Sequence, residues 1–305
     1  MNLAEPVRVR NAFRVVAGSL LAVRIGLATS YIRIASLQLI APVHDHFFPD
    51  LLRHPATLLA AFIGPIVTEA MVLSYPTRRD MKRAAVLETL GAAVLLVHQA
   101  TYFFATWVIV FWAGVFMVWM AWSAAASTNR ASAIGPFLAQ LLIAFFFLGG
   151  AAGKWTGGYW SGAVFEDLYF TRNAYSFLPY LHMAFTDATV HVIAIWFSRV
   201  VILVETATAL VVLLPARAAS TVSLIVAAGL WLNAWDLYEV CLPLMGIAIA
   251  GRLLAASGDG RPVGSNQPPP RLRRSAEASA KAEDPTPRTA PPRSRRQTPR
   301  MRRAS

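Results

Sequence analysis

Long apolar runs, separated by short polar and basic turns, fill the first 255 positions of the chain. They fall at roughly 13–40, 56–74, 84–98, 103–122, 134–152, 189–214, 221–234 and 238–254. Several reach the roughly 20 residues that a helix needs to cross a bilayer. A transmembrane barrel would instead alternate apolar and polar positions in segments of about 10 residues. The pattern therefore predicts an all-α, polytopic helical membrane protein with about eight transmembrane segments. The last two runs are short and also fit one broken hairpin. Arg8, Arg10 and Arg14 ahead of the first run look like a signal n-region. Arg24 and Arg33 interrupt the first run itself, however, and no cleavage pattern is evident, so a retained first helix is expected.

Composition agrees with this reading: 56% of the 305 residues are hydrophobic and 14% charged. The charge adds an orientation. Arg8, Arg10 and Arg14, then Arg78, Arg79, Lys82 and Arg83, then Arg130, then Arg217 and the C-terminal region all fall on one side if every segment crosses. The other side holds only Arg53, Lys154 and Arg172. The positive-inside bias puts both termini in the cytoplasm and the 153–188 connection outside the cell membrane. Of the net charge of +12, +9 lies from Arg252 onward, where 13 Lys/Arg face 4 Asp/Glu. Residues 256–305 are rich in Pro, Ser and Arg and read as a disordered cytoplasmic tail following a transmembrane domain over 1–255. Close to a membrane such a tail suits anionic lipid headgroups. No nucleic-acid-binding motif accompanies the charge, so no nucleic acid is expected as a partner.

Ionisable groups inside the apolar runs come next, because they are costly at membrane depth and tend to face the bundle interior. Arg24, Tyr31 and Gln38 recur every seven residues and share a face of the first helix. His191, Ser198 and Glu205 do so on the sixth, flanked by Arg199 and Thr208. Glu69, His98, Gln140, Asn233 and Asp236 lie on other segments. Two readings stand. In one, Arg24, His98, His191, Arg199, Glu205, Asn233 and Asp236 line one polar cavity, with Glu205 paired to Arg24 or Arg199. In the other, these groups make interhelical hydrogen bonds that fix packing.

The stretch 145–162 concentrates the remaining signal. An aromatic run, Phe145–Phe147, leads into the small residues 149–153, then Lys154, then a turn holding Trp155, Tyr159 and Trp160. Small residues allow close helix approach, and Trp and Tyr mark the membrane–water interface. Lys154 is then either a snorkelling anchor or a group poised beside a ligand ring. The connection it opens, about 35 residues long, exceeds a simple link. Residues 163–169 suit a short helix on the membrane surface, with Glu166, Asp167 and Arg172 toward water. The His44-Asp45-His46 loop, with Asp50 and His54, carries ligand-type side chains, but a solvated loop explains it as well and no metal is assigned. The lone Cys241 excludes an intramolecular disulfide and a CxxC pair. Walker A, GxGxxG, HExxH and GxSxG patterns are absent, leaving nucleotide and common hydrolase chemistry unsupported.

Phe147, Gly150-Ala151, Lys154, Trp160 and Gly162 resemble the signature of the horizontally transferred transmembrane (HTTM) family, which includes the membrane domain of vitamin K-dependent gamma-carboxylase. Arg199–Pro215 resembles that family's helix with a buried Glu, and Leu230–Gly251 its last apolar segment. The resemblance covers about residues 10–255. It implies a membrane enzyme that uses a quinone-like lipid cofactor and acts on a peptide or small molecule. It also implies Lys154 as the base, with Trp155 and Trp160 beside the ring. A lysine against apolar surface loses solvation of its charged form, which a base requires. Three departures bear on this. The family's lysine pair is a single Lys154, an expected histidine is Asn233, and the large extramembrane region is missing. A full glutamate carboxylase is therefore not expected. The alternative is a non-enzymatic membrane factor for peptide maturation or export.

Overall fold

The computed structural model describes residues 4–36, 54–99, 104–126, 128–171 and 178–255. In chain order the helices are α1 (Ala4–Ser36), α2 (Pro55–Ser74), α3 (Arg78–Gln99), α4 (Phe104–Ala126), α5 (Thr128–Lys154), α6 (Gly157–Trp160), α7 (Ala163–Phe165), α8 (Leu181–Ala184), α9 (Asp187–Ala209), α10 (Ala216–Asn233) and α11 (Tyr238–Ala255). A π-helical turn, Glu166–Thr171, continues α7. Among the described residues no strand forms, so the all-α expectation holds. The tail over 256–305, Arg172 and the loop with His44, Asp45, His46 and Asp50 lie outside the described residues.

Among the described residues, seven helices are long and apolar enough to cross a membrane. The expected segment at 84–98 sits in α3, whose 22 residues also carry Arg78, Arg79, Asp80, Lys82, Arg83 and Glu88. Charge sets α3 apart, since its length is about 33 Å at 1.5 Å per residue. The two short C-terminal runs form separate helices, α10 and α11, both within the set of seven.

The helices show why this chain needs lipid around it. On α9 the buried positions are Val190, Ala194, Ser198, Ile202, Glu205, Thr208 and Ala209. The exposed ones include Val192, Trp196, Val200 and Leu203. Both sets recur at helical spacing, but Ser198, Glu205 and Thr208 sit on the inner face while Val192, Trp196, Val200 and Leu203 make the outer face bulky and apolar. A water-soluble helix is arranged the other way round. Ile63, Val67 and Met71 make a similar apolar outer face on α2.

Helix ends are held by local chemistry. The His54 ring accepts a hydrogen bond from Ala56 N (3.2 Å), and Pro55 follows at a position where a missing N–H is harmless. Arg14 of α1 donates to the carbonyls of Leu73 (2.7 Å) and Ser74 (3.3 Å), placing a cation on the negative end of α2. Thr186 caps α9, with Asp187 in its first turn.

α1 packs between α2 and α11, while α2, α3, α4 and α5 follow one another around the bundle. α11 closes it against α1, α5 and α10. Phe13, Leu20, Trp107, Phe116, Met117 and Ile247 fill the main core. Gly246 lets α11 approach α1 closely, since a Cβ there would stand 2.3 Å from Ser19 Oγ. α9 lies on α5. A smaller core of Phe165, Phe170, Leu178, Val190 and Ala194 fastens the cap between α5 and α9 onto α9.

Candidate functional site

The site forms where the end of α5 turns into the cap. Phe146, Phe147 and Gly150 on α5 lie on the same helical face, three and four residues apart. They form one wall of an apolar cavity of about 150 Å³. The cap contributes Phe165, Tyr169 and Leu178, and α9 contributes Phe197, Val201 and Glu205. Leu230, Asn233, Ala234, Leu237 and Cys241 close it from the α10–α11 corner.

Glu205 is the charged group in that wall. Its carboxylate is almost fully buried, and Oε1 accepts a hydrogen bond from Lys154 Nζ. Oε2 is buried with no donor among the described residues. Gly150 keeps the space beside it open, because a Cβ there would come within 3.5 Å of Oε2. Lys154, at the last residue of α5, is not part of the cavity wall and reaches it through Glu205. One carboxylate oxygen is thus fixed by a cation, and the other is left with acceptor capacity among aromatic rings. A ligand O–H or N–H in the cavity would find its acceptor there.

The aromatic turn is clamped onto α9. Ser198 Oγ donates to Tyr159 O (2.7 Å), Arg199 Nε to Trp160 O (3.2 Å), and Trp155 Nε1 to Thr206 Oγ1 (3.1 Å). Trp155 and Trp160 stack at 5.3 Å. The Arg199 guanidinium lies over Trp160 (5.1 Å) and Trp196 (5.5 Å). Gly162 makes the docking feasible. Its φ is 82°, and a Cβ would stand 2.7 Å from Ile195 Cα, so both conformation and space call for glycine. Burial and the nearby Glu205 charge push the Tyr159 phenol up. Burial first, then Tyr159, Asp236 and Glu205, push Tyr169 up to about 12.

The structure corrects the expected pairing. Glu205 pairs with Lys154 and not with Arg24 or Arg199. Arg24 belongs to a separate buried cluster, where it meets Glu88 at 2.8 Å. Among the described residues the single cavity gathering this polar set is therefore not found: of that set, Glu205 and Asn233 line the cavity. Asn233 Nδ2 donates to Gly229 O of its own helix (2.6 Å). His191 is exposed and bound to Glu166 Oε2 (2.6 Å). It lies in the second turn of α9, beside the cap, and a repeat of seven drifts about 20° per heptad on a straight helix. Asp236 is exposed on a 3₁₀ turn. The His98 side chain lies outside the described residues. Trp155 and Trp160 form the clamp and are not in the cavity wall.

Sequence reasoning missed Glu88, the lone carboxylate in the apolar stretch 84–97, which was itself the available signal. It also missed Glu239, which accepts from Thr106 Oγ1 at 2.8 Å. Comparison with family models, curated proteins and solved structures finds no match for the chain.

Proposed function

We propose that the chain is a membrane enzyme of the HTTM type that binds a quinone-like ring in the apolar cavity, with Lys154 and Glu205 acting as one proton-handling pair. The observation that carries this reading is Glu205 Oε2, an acceptor without a donor among the described residues, facing an aromatic cavity while Lys154 holds Oε1. The cavity has the chemistry for such a group. Its aromatic and aliphatic walls suit a ring, and about 150 Å³ is a volume known to hold a single benzene. A hydroquinone would supply an acidic O–H and two electrons.

The chain's own residues would do the rest. Phe146, Phe147, Phe165 and Phe197 would exclude water and strengthen charge interactions in the cavity. Glu205 Oε2 would accept the hydrogen bond from a ring hydroxyl, and the Lys154 ammonium would stabilise the negative charge there. Lys154 Nζ is already protonated as it donates to Glu205, so a proton taken from a ligand would go to the Glu205 carboxylate, and the ammonium would remain as counter-charge to the ring oxygen. A peptide or a small molecule is the acceptor class that fits the resemblance.

The test uses purified full-length protein in detergent and methylhydroquinone, a tailless single-ring hydroquinone, under anaerobic conditions, with tryptophan fluorescence as the readout. Saturable binding that weakens by about tenfold or more in Glu205→Gln, the loss of one charge-assisted hydrogen bond, is expected. Absence of saturable binding to the wild type sinks the ring-binding reading and leaves the non-enzymatic maturation or export factor in its place.

A further inference from the structure

A second group of buried charges lies apart from this cavity, and it does not balance. Arg24 of α1, Glu88 of α3 and Glu69 of α2 are each 0% exposed. Arg24 Nε and Nη2 grip the two oxygens of Glu88 at 3.1 and 2.8 Å. Its Nη1 donates to Phe62 O at 3.2 Å and approaches Ala61 O at 3.5 Å. The Ala61 carbonyl is free for this because Pro65, four residues on, has no N–H to give it. Phe62 and Trp107 lie 5.7 and 5.4 Å from the guanidinium carbon. Arg24 is therefore fully engaged.

Glu69 is left over. Neither of its oxygens has a hydrogen-bond partner among the described residues. The Glu88 carboxylate and, less strongly, the Arg24 guanidinium act on it electrostatically. Among the described residues no other charged group acts on it. α4 has no titratable side chain over Phe104–Ala126, and Glu239 of α11 is engaged with Thr106. Two carboxylates against one guanidinium leave one negative charge with no water to solvate it, a condition proteins avoid by neutralising the group.

We propose that Glu69 and Glu88 form a buried one-proton site, with Glu88 the carboxylate that counters Arg24 and Glu69 the neutral acid whose O–H is donated to Glu88. The ligand is a proton, and its release leaves Glu69–COO⁻ and a net charge of minus one in the cluster. The site is thus a proton-binding element within the helix bundle, separate from the Lys154–Glu205 pair.

Infrared spectroscopy tests this without needing a reagent to reach the site. Full-length protein in dodecyl maltoside, which has no carbonyl, is compared at neutral pH with protein carrying ¹³C-carboxyl glutamate. A carboxylic-acid C=O band that shifts with the label and in D₂O is expected. It is lost in Glu69→Gln and kept in Glu205→Gln. It is also lost in Glu88→Gln, where Glu69 must ionise to become the counter-ion of Arg24. No label-sensitive acid band in the wild type overturns the proposal, and that measurement requires no variant to fold. A band that survives Glu69→Gln, or that survives Glu88→Gln, overturns it as well. So does a band absent in sodium chloride but present in choline chloride at the same pH, since the occupant is then a metal cation.

Discussion

Arg24 and Glu88, 64 positions apart, face each other through two hydrogen bonds with neither side chain exposed. The pair ties α1 to α3, and α2 joins it through the carbonyls of Ala61 and Phe62. Arg24 is the shared member of every one of these contacts. Arg24→Met is therefore expected to destabilise the protein by about 3–5 kcal/mol, the usual cost of leaving a buried partner uncompensated. Glu88→Gln is expected to cost clearly less, because Glu69 can take over as counter-ion. Thermal unfolding in detergent measures both, and equal losses would mean that Glu69 does not substitute for Glu88.

The fold was legible because lipid-facing helices announce themselves by uninterrupted apolar length. Residues 134–152 and 189–214 read as spans from composition, and α5 and α9 occupy them. Lys154 stood out as the lysine that ends such a run, and Glu205 as a carboxylate inside another. Their pairing was not legible. Fifty-one positions separate them, and periodicity within one helix says nothing about which face meets which neighbour. The same limit put Arg24 with Glu205. Helical spacing showed that both point inward, but Glu88, which decides where Arg24 goes, lies on a third helix. Gly162 shows the limit from the other side. It was visible as part of a Gly/Trp turn, yet its positive φ and its contact with Ile195 come from docking against α9.

Tyr169 gives the cavity a pH signature. Its phenol is pushed up to about 12, first by burial and then by nearby acidic groups, Glu205 included. In the unfolded chain a tyrosine titrates near 10. Between those values the folded protein holds the proton and the unfolded chain does not, so stability falls as pH rises from about 10 to 12. The full loss is on the order of 2–3 kcal/mol for a shift of this size. Phenolate absorbance should show a late-titrating component that Tyr169→Phe removes and Glu205→Gln moves to lower pH. A late component unchanged in Tyr169→Phe would assign it elsewhere.

Membrane orientation is the next expectation. α3 leaves α2 by a three-residue turn at 75–77 and is as long as the helices on either side of it. If α3 crosses with the seven apolar helices, both termini would share a side, which the basic clusters predict to be the cytoplasm. In a Cys241→Ala background, an impermeant maleimide added to intact cells should label Ser161→Cys, an exposed position of the aromatic turn, and spare Ser275→Cys. Cys241 is itself buried, so its replacement is not expected to disturb the outer surface. Labelling of Ser275→Cys with protection of Ser161→Cys puts the C-terminal end outside, against the expectation, and labelling of both removes one crossing from α9–α11.

Lys154 and Glu205 supply the remaining prediction. Glu205 is 5% exposed and its free oxygen has no donor, so Lys154 is its charge partner among the described residues. Removing the lysine strands a buried carboxylate, and removing the carboxylate strands an ammonium that is still about one-fifth exposed. The two losses should differ. Lys154→Ala is expected to cost about 3 kcal/mol, near the low end for breaking a buried pair. Glu205→Gln should cost less, because Lys154 can reach toward water. The double variant should recover part of the Lys154→Ala loss, since no charge is then left buried. Lys154→Arg should stay near wild-type stability while losing any function that needs the lysine to give up its proton, because guanidinium stays protonated. Glu166→Ala serves as the reference, for its partner His191 is exposed and its pairing is worth little. The cycle is read from thermal midpoints in detergent. Additive losses at 154 and 205 would mean that the two side chains do not interact, and the proton-handling pair would lose its basis.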